Sequence, residues 1–109
     1  MTFLRYANRG GFPCVESTGI SSNGSGTTII TFNSHPFING RFFGGFWVKI
    51  AQTLATGSDV INFNVFGTGE TPLYLPAGTQ ATAAELVSDG NAVHLVFFDR
   101  DNNRLTLIA

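Results

Sequence analysis

A chain of 109 residues with a formal net charge of −1 is long enough for one domain with its own core. Its 13 charged residues make up 12% of the chain, about half the usual share. That sparse charge, with five Arg spread along the sequence, excludes a phosphate-binding face and hence a nucleic-acid partner. Cys14 is the only cysteine, so an intrachain disulfide is excluded, and beside Pro13 and Val15 it reads as a small buried hydrophobe. No run of 18 apolar residues marks a membrane helix. Met1–Gly11 has no secretory apolar stretch, so folding in a cytoplasm is expected.

Residues 1–26 scatter Phe3, Leu4, Tyr6, Phe12 and Val15 among glycine and polar residues. Short extended pieces near 2–6 and 12–17 are compatible with this pattern. The Gly- and Ser-rich run 19–26 reads as a flexible loop or as an arm reaching a neighbouring subunit. The expected division is therefore a partly extended N-terminal arm over 1–26 and a β-sandwich domain over 27–109.

From Thr27 the strand signals dominate. Thr27–Asn33 is rich in β-branched residues. Ser34-His35-Pro36 breaks the run, and Asn39-Gly40 signals a turn. Phe42–Gln52 follows, with Phe46, Val48 and Ile50 on one face and Trp47, Lys49 and Ala51 on the other. After Gly57-Ser58-Asp59, the stretch Val60–Phe66 alternates clearly. Ile61, Phe63 and Val65 face one way, and Asn62 and Asn64 the other. Leu73–Leu75, bracketed by Pro72 and Pro76, reads as an edge strand.

Thr82–Val87 is the one helical stretch, since Thr82 and Glu85 have capping-box spacing. Ala92–Phe98 and Arg104–Ile108 form a final hairpin. Leu95-Val96-Phe97-Phe98 is apolar on both faces, as in a strand covered on two sides. The fold class expected is all-β: a small antiparallel β-sandwich or barrel with one short helical turn near 82–87.

No catalytic constellation emerges, so the chain reads as a non-enzyme without a cofactor. His35 precedes a proline in a turn, and His94 falls opposite the expected core face; both read as structural or surface residues. Glu16, Asp59, Glu70 and Glu85 nominate no carboxylate pair. Asp99-x-Asp101-x-Asn103 opens like a calcium loop, but Arg104 stands where glycine is required. It reads as a hairpin turn, with a cation site completed by another chain as the alternative.

The aromatic residues Phe37, Phe42, Phe43, Phe46 and Trp47 exceed what one strand face can bury. Core packing is one reading. An interface including Asn62 and Asn64 is another, because interfaces favour aromatic residues over charges. A carbohydrate platform using Trp47 or Tyr74 is the third.

Pro72-Leu73-Tyr74, Gly78–Leu86, Gly90, Val93, Leu95–Asp99 and Arg104–Leu107 resemble β-domains of tailed-bacteriophage virion proteins. In such domains a Thr-Ala-acid-Leu turn leads into a hairpin whose first strand ends in Tyr-Asp; here Phe98-Asp99 stands in its place. Asn39–Ile50 is similar to those domains more loosely. The resemblance implies a head-decoration, head-fibre or tail-fibre component located in the virion. It implies a dimer or trimer that also contacts capsid or fibre proteins, and it transfers no catalytic residue. With no coiled-coil or collagen-like stalk, a compact capsid-surface or fibre-base component fits best, and surface glycan is the alternative partner.

Overall fold

The computed structural model describes residues 8–9, 12–22, 26–33, 38, 42–51, 59–65, 69–87, 93–99 and 101–108. They form eight strands and one helix: β1 (Asn8–Arg9), β2 (Phe12–Ser22), β3 (Thr27–Phe32), β4 (Gly44–Lys49), β5 (Val60–Val65), β6 (Gly69–Tyr74), α1 (Ala83–Val87), β7 (Val93–Asp99) and β8 (Arg104–Leu107). The expected all-β class, with the barrel of the two alternatives and one short helix, is what forms, but the sheet is mixed rather than antiparallel, because strands distant in sequence meet in parallel to close the ring. Seven strands close into a ring in the order β2-β3-β5-β6-β8-β7-β4 and back to β2, with β1 appended to β2. Pairing is mixed. Neighbours in sequence pair antiparallel (β2–β3, β5–β6, β7–β8), as does β4–β7. The contacts β2–β4, β3–β5 and β6–β8 are parallel.

The ring turns its corners on two strands that change partner. In β2, Cys14, Val15 and Glu16 pair with β4, whereas Ser17 and Gly19–Ser22 pair with β3. The register slips between Ser17 and Gly19, a bulge that adds one residue and bends the strand. Cross-links fix this corner. The Asn33 amide donates to Glu16 O at 3.0 Å, the Glu16 amide donates to Asn33 Oδ1 at 3.1 Å, and the Ala51 amide donates to Ser17 Oγ at 2.7 Å. In β6 the first residues pair with β5 and the last two with β8.

Two expectations change here. The boundary at residue 26 separates no arm from the domain, because Phe12–Ser22 is a barrel strand joined to both β3 and β4. Its Gly, Ser and Thr content disguised the strand. Nor is the Pro72 segment an edge. Pro72 is the last residue paired with β5, so its missing amide falls where the strand leaves one neighbour for the next.

Every ring strand sends side chains inward, among them Val15, Ile30, Phe32, Phe46, Val48, Ile61, Phe63, Leu73, Val96, Phe98 and Leu105, all buried. Phe32 and Phe63 meet edge to face at 4.7 Å, a favoured aromatic geometry. The barrel is thus a packed core rather than a pore. Ile61, Phe63 and Asn62 face as their alternation predicts.

His94 does not. It lies 2% exposed on the same face as Val96 and Phe98, and its Nε2 lies 3.1 Å from Leu86 O. For that contact to be a hydrogen bond, Nε2 must carry the proton. The four apolar residues after His94 carry no phase information, which is why the sequence pattern pointed it outward.

The helix α1 is short and held at both ends. Ala83 and Leu86 are buried in the core, and the Ala83 amide donates to Asp59 O at 3.1 Å. At its start the Thr82 amide and hydroxyl both donate to Glu85 Oε1, at 2.6 and 2.8 Å. This is the reach-back half of the capping box. The amide and hydroxyl of Thr82 hold the Glu85 carboxyl below its ordinary value, with burial opposing.

Two measurements follow from the core and the cap. Thr71 is 2% exposed, and its Oγ1 has no hydrogen-bond partner among the described residues. Thr71→Val removes a buried polar atom at nearly constant volume, so it should raise the unfolding free energy in urea by up to about 1 kcal/mol. A loss of that size would mean the hydroxyl is satisfied. Because folding lowers the Glu85 pKa, the folded chain binds fewer protons than the unfolded one. The resulting stability is complete above the ordinary value near 4.5 and fades as pH falls through the lowered one. Glu85→Gln should cost about 0.5–1 kcal/mol at neutral pH and flatten the acid side of the stability–pH curve; an unchanged acid slope would contradict the cap.

Candidate interaction surface

Closing one sheet into a ring leaves two outer faces, and they differ in chemistry. Across β2, β3, β5 and β6 the outward positions hold Ser21, Ile29, Thr31, Asn62, Asn64 and Glu70. Asn62 Nδ2 donates to Glu70 Oε1 at 3.3 Å, and Gln80 Nε2 donates to Asn62 Oδ1 at 3.4 Å. Apart from Ile29 these side chains are polar, and Asn62 links Glu70 to Gln80.

The outer face of β2, β4, β7, β8 and β6 is apolar, and its registers define four rows running across the strands. The first holds Asp99 and Arg104, with Phe43 just ahead of β4 and its ring against Phe97. Phe12, Gly45, Phe97, Thr106 and Tyr74 make the second. Cys14, Trp47, Leu95 and Ile108 form the third. The last consists of Glu16, Lys49 and Val93.

The exposed large hydrophobics among the described residues are Phe12 (43%), Phe43 (53%), Phe97 (36%) and Ile108 (54%), and all four sit on this face. Phe43 and Phe97 meet edge to face at 5.4 Å. The Phe12 ring lies 3.7 Å from the point a Gly45 Cβ would occupy, so Phe12 leans into the space that glycine leaves. A contiguous apolar patch on an otherwise neutral domain marks a contact surface.

The structure sorts the candidate residues into different places. Phe43 is exposed at the rim of the apolar face, and Trp47 is half-buried within it. Phe42 is partly buried against the core, 5.6 Å from the Phe46 ring. Phe46 leaves the candidate surface altogether: it is fully buried, because its position on β4 points inward with Val48. Asn62 and Asn64 lie on the polar face, apart from the aromatic residues. Phe37 and His35 lie outside the described residues, as do Pro36, Asn39-Gly40 and Gly57-Ser58 of the expected turns.

The two rings proposed for sugar stacking sit on β4 and β6, with β7 and β8 between them. The Arg104 guanidinium covers Tyr74 at 3.8 Å from its centroid, a cation–π contact. Phe12, Phe97 and Ile108 were not singled out from sequence. Only Phe97 had a signal, the two-sided apolar character of Leu95–Phe98. Cys14 also differs from expectation: it is half-buried on the outer apolar face rather than in the core.

The Asp99 loop is a turn. Asp99 Oδ1 accepts from the Asp101 and Asn102 amides at 3.2 and 3.4 Å, and Oδ2 accepts from Asn102 Nδ2 at 2.7 Å. Asn103 takes a positive φ of 51°, which asparagine tolerates. The Asn102 side chain is the main cause that holds the Asp99 carboxyl below its ordinary value. Among the described residues no group of three or more His, Cys, Asp or Glu is placed to hold a metal, and no helix is long and apolar enough to cross a membrane.

Compared with known proteins, the chain matches no family model, no curated protein and no solved structure.

Replacing Phe43 and Phe97 together by serine should reduce binding of a fluorescent apolar dye while changing the unfolding free energy by less than about 1.5 kcal/mol. A collapse of stability would show that these rings belong to the core.

Proposed function

We propose that this chain is a bacteriophage virion structural protein, a capsid-attached decoration or head-fibre component that works through contacts with its own copies and with other virion proteins. The observation that carries this reading is the gathering of the exposed large hydrophobics onto one outer face of a closed barrel. A closed ring offers few free strand edges, so association through side chains on a sheet face is the route left open. Sparse charge supports the same reading, since charged residues are depleted in the centres of contact surfaces. The resemblance of Pro72–Leu107 to phage virion β-domains supplies the setting.

The carbohydrate reading is weaker. Trp47 and Tyr74 stand on separate strands, the Tyr74 face carries Arg104, and the asparagines that would bond sugar hydroxyls lie on the opposite face.

Particles purified by density gradient from cells that carry the gene should contain this chain in stoichiometric proportion to capsid subunits. Particles lacking the chain should recapture the purified wild-type protein but not a Phe43→Lys, Phe97→Lys variant. Absence of the chain from particles would overturn the reading. Glycan-array binding that is lost in Trp47→Ala would replace it with the carbohydrate alternative.

A further inference from the structure

The geometry points to a second copy of this chain as the occupant of the apolar face, packed sheet on sheet about a two-fold axis that crosses the strands. This rests on the proposed association role and specifies its partner. Among the described residues of β2, β4, β7, β8 and β6, the apolar rows are the second and third, and the charged residues of those strands lie at the ends, with Arg9 beside Phe12 on the appended β1. Asp99 on β7 and Arg104 on β8 mark one end, Glu16 on β2 and Lys49 on β4 the other. Each end carries one acid and one base, so the face holds the charges needed to match itself.

The arrangement of those charges selects the axis. An axis across the strands lays the first row of one copy over the fourth row of the other. Asp99 then falls one strand, about 5 Å, to the side of the other copy's Lys49, and the nearest like charges lie two strands, about 10 Å, apart. An axis along the strands, centred on the apolar rows, keeps each row opposite itself. Lys49 then lies one strand from its own equivalent, and Asp99 likewise, so like charges become the nearest pairs. Repulsion disfavours that alternative.

The same axis matches side-chain size. It sets the second row against the third, with Phe12 over Cys14, Phe97 over Leu95 and Ile108 over Thr106, while Trp47 meets Gly45 and the edge of the Phe12 ring that leans over it. On β2, β7 and β8 a larger side chain meets a smaller one, the alternation that lets facing sheets interdigitate. An isologous contact of this kind is self-complementary and closes at two subunits.

The test is sedimentation equilibrium of the full chain across roughly 1–100 µM, with three variants whose changes lie on the outer face. Wild-type chain should sediment as a dimer. Phe97→Lys should be monomeric with an unchanged circular dichroism spectrum. Lys49→Glu, which places an acid beside the other copy's Asp99, should weaken the dimer roughly tenfold. Adding Asp99→Asn, which keeps an acceptor for the turn amides, should recover most of that loss.

A dimer insensitive to Lys49→Glu overturns the axis, and a trimer or a dimer that survives Phe97→Lys overturns the face. A chain that stays monomeric yet is captured by particles through Phe97 overturns the second copy as occupant while leaving the virion role standing. A monomer that particles do not capture overturns both.

Discussion

The structure depends on one strand serving two neighbours. β2 pairs in parallel with β4 before its bulge and antiparallel with β3 after it. Without that change of partner the sheet would end at β2 on one side and β4 on the other, leaving two rows of unpaired backbone groups. The bulge at Ser17–Gly19 bends the strand, and the Glu16–Asn33 and Ser17–Ala51 hydrogen bonds hold the bend. Burial of side chains from all seven ring strands follows from closure. So does the existence of two distinct outer faces.

Those faces connect fold to function. Alternation along a strand fixes which side chains point inward, and the remainder form the surface. On β3, β5 and the start of β6 that remainder is Thr, Asn and Glu with a single Ile29, and Asn62 bonds to Glu70 and Gln80. In the two middle rows of β4, β7 and β8 it is Phe, Trp, Leu and Ile around Gly45 and Thr106. Nothing about barrel closure requires the second set, because the inward residues already complete the core. Apolar residues spent on an outer face are therefore best explained by contact, which is the basis of the proposed role.

How much of this was legible in the sequence varied with the quality of the alternation. Ile61–Asn64 was read correctly because asparagine and apolar residues strictly alternate there, and Phe46 and Val48 were placed on one face by the same two-residue period. That reading already implied that Phe46 points inward, yet the abundance of neighbouring aromatics put it among the surface candidates as well. Leu95–Phe98 was recognised as two-sided, but four consecutive apolar residues cannot say which pair faces in, and His94 was assigned to the wrong side. β2 was hidden by its Gly, Ser and Thr content, and Pro72 suggested an edge where the chain changes partner. The helix at Thr82–Val87 was visible because its cap is local, needing only Thr82 and Glu85 three residues apart. The gathering of Phe12, Phe43, Phe97 and Ile108 was not legible, since it depends on strand order, and pairings between distant strands leave no local trace.

The parallel pairing of β2 with β4 also governs how the chain reaches this state. β2–β4, β3–β5 and β6–β8 each join strands that are not consecutive, so none can form by simple hairpin growth. The hairpins β2–β3, β5–β6 and β7–β8 can form early, but each gains a full complement of neighbours only when the ring closes. Chains dominated by such non-local contacts fold slowly, on the order of milliseconds to seconds. Until closure, the apolar residues of β4 and β7 stand beside open strand edges. The last pairing to form thus decides whether those residues meet a finished partner or another unfinished chain, which makes productive folding dependent on concentration during synthesis.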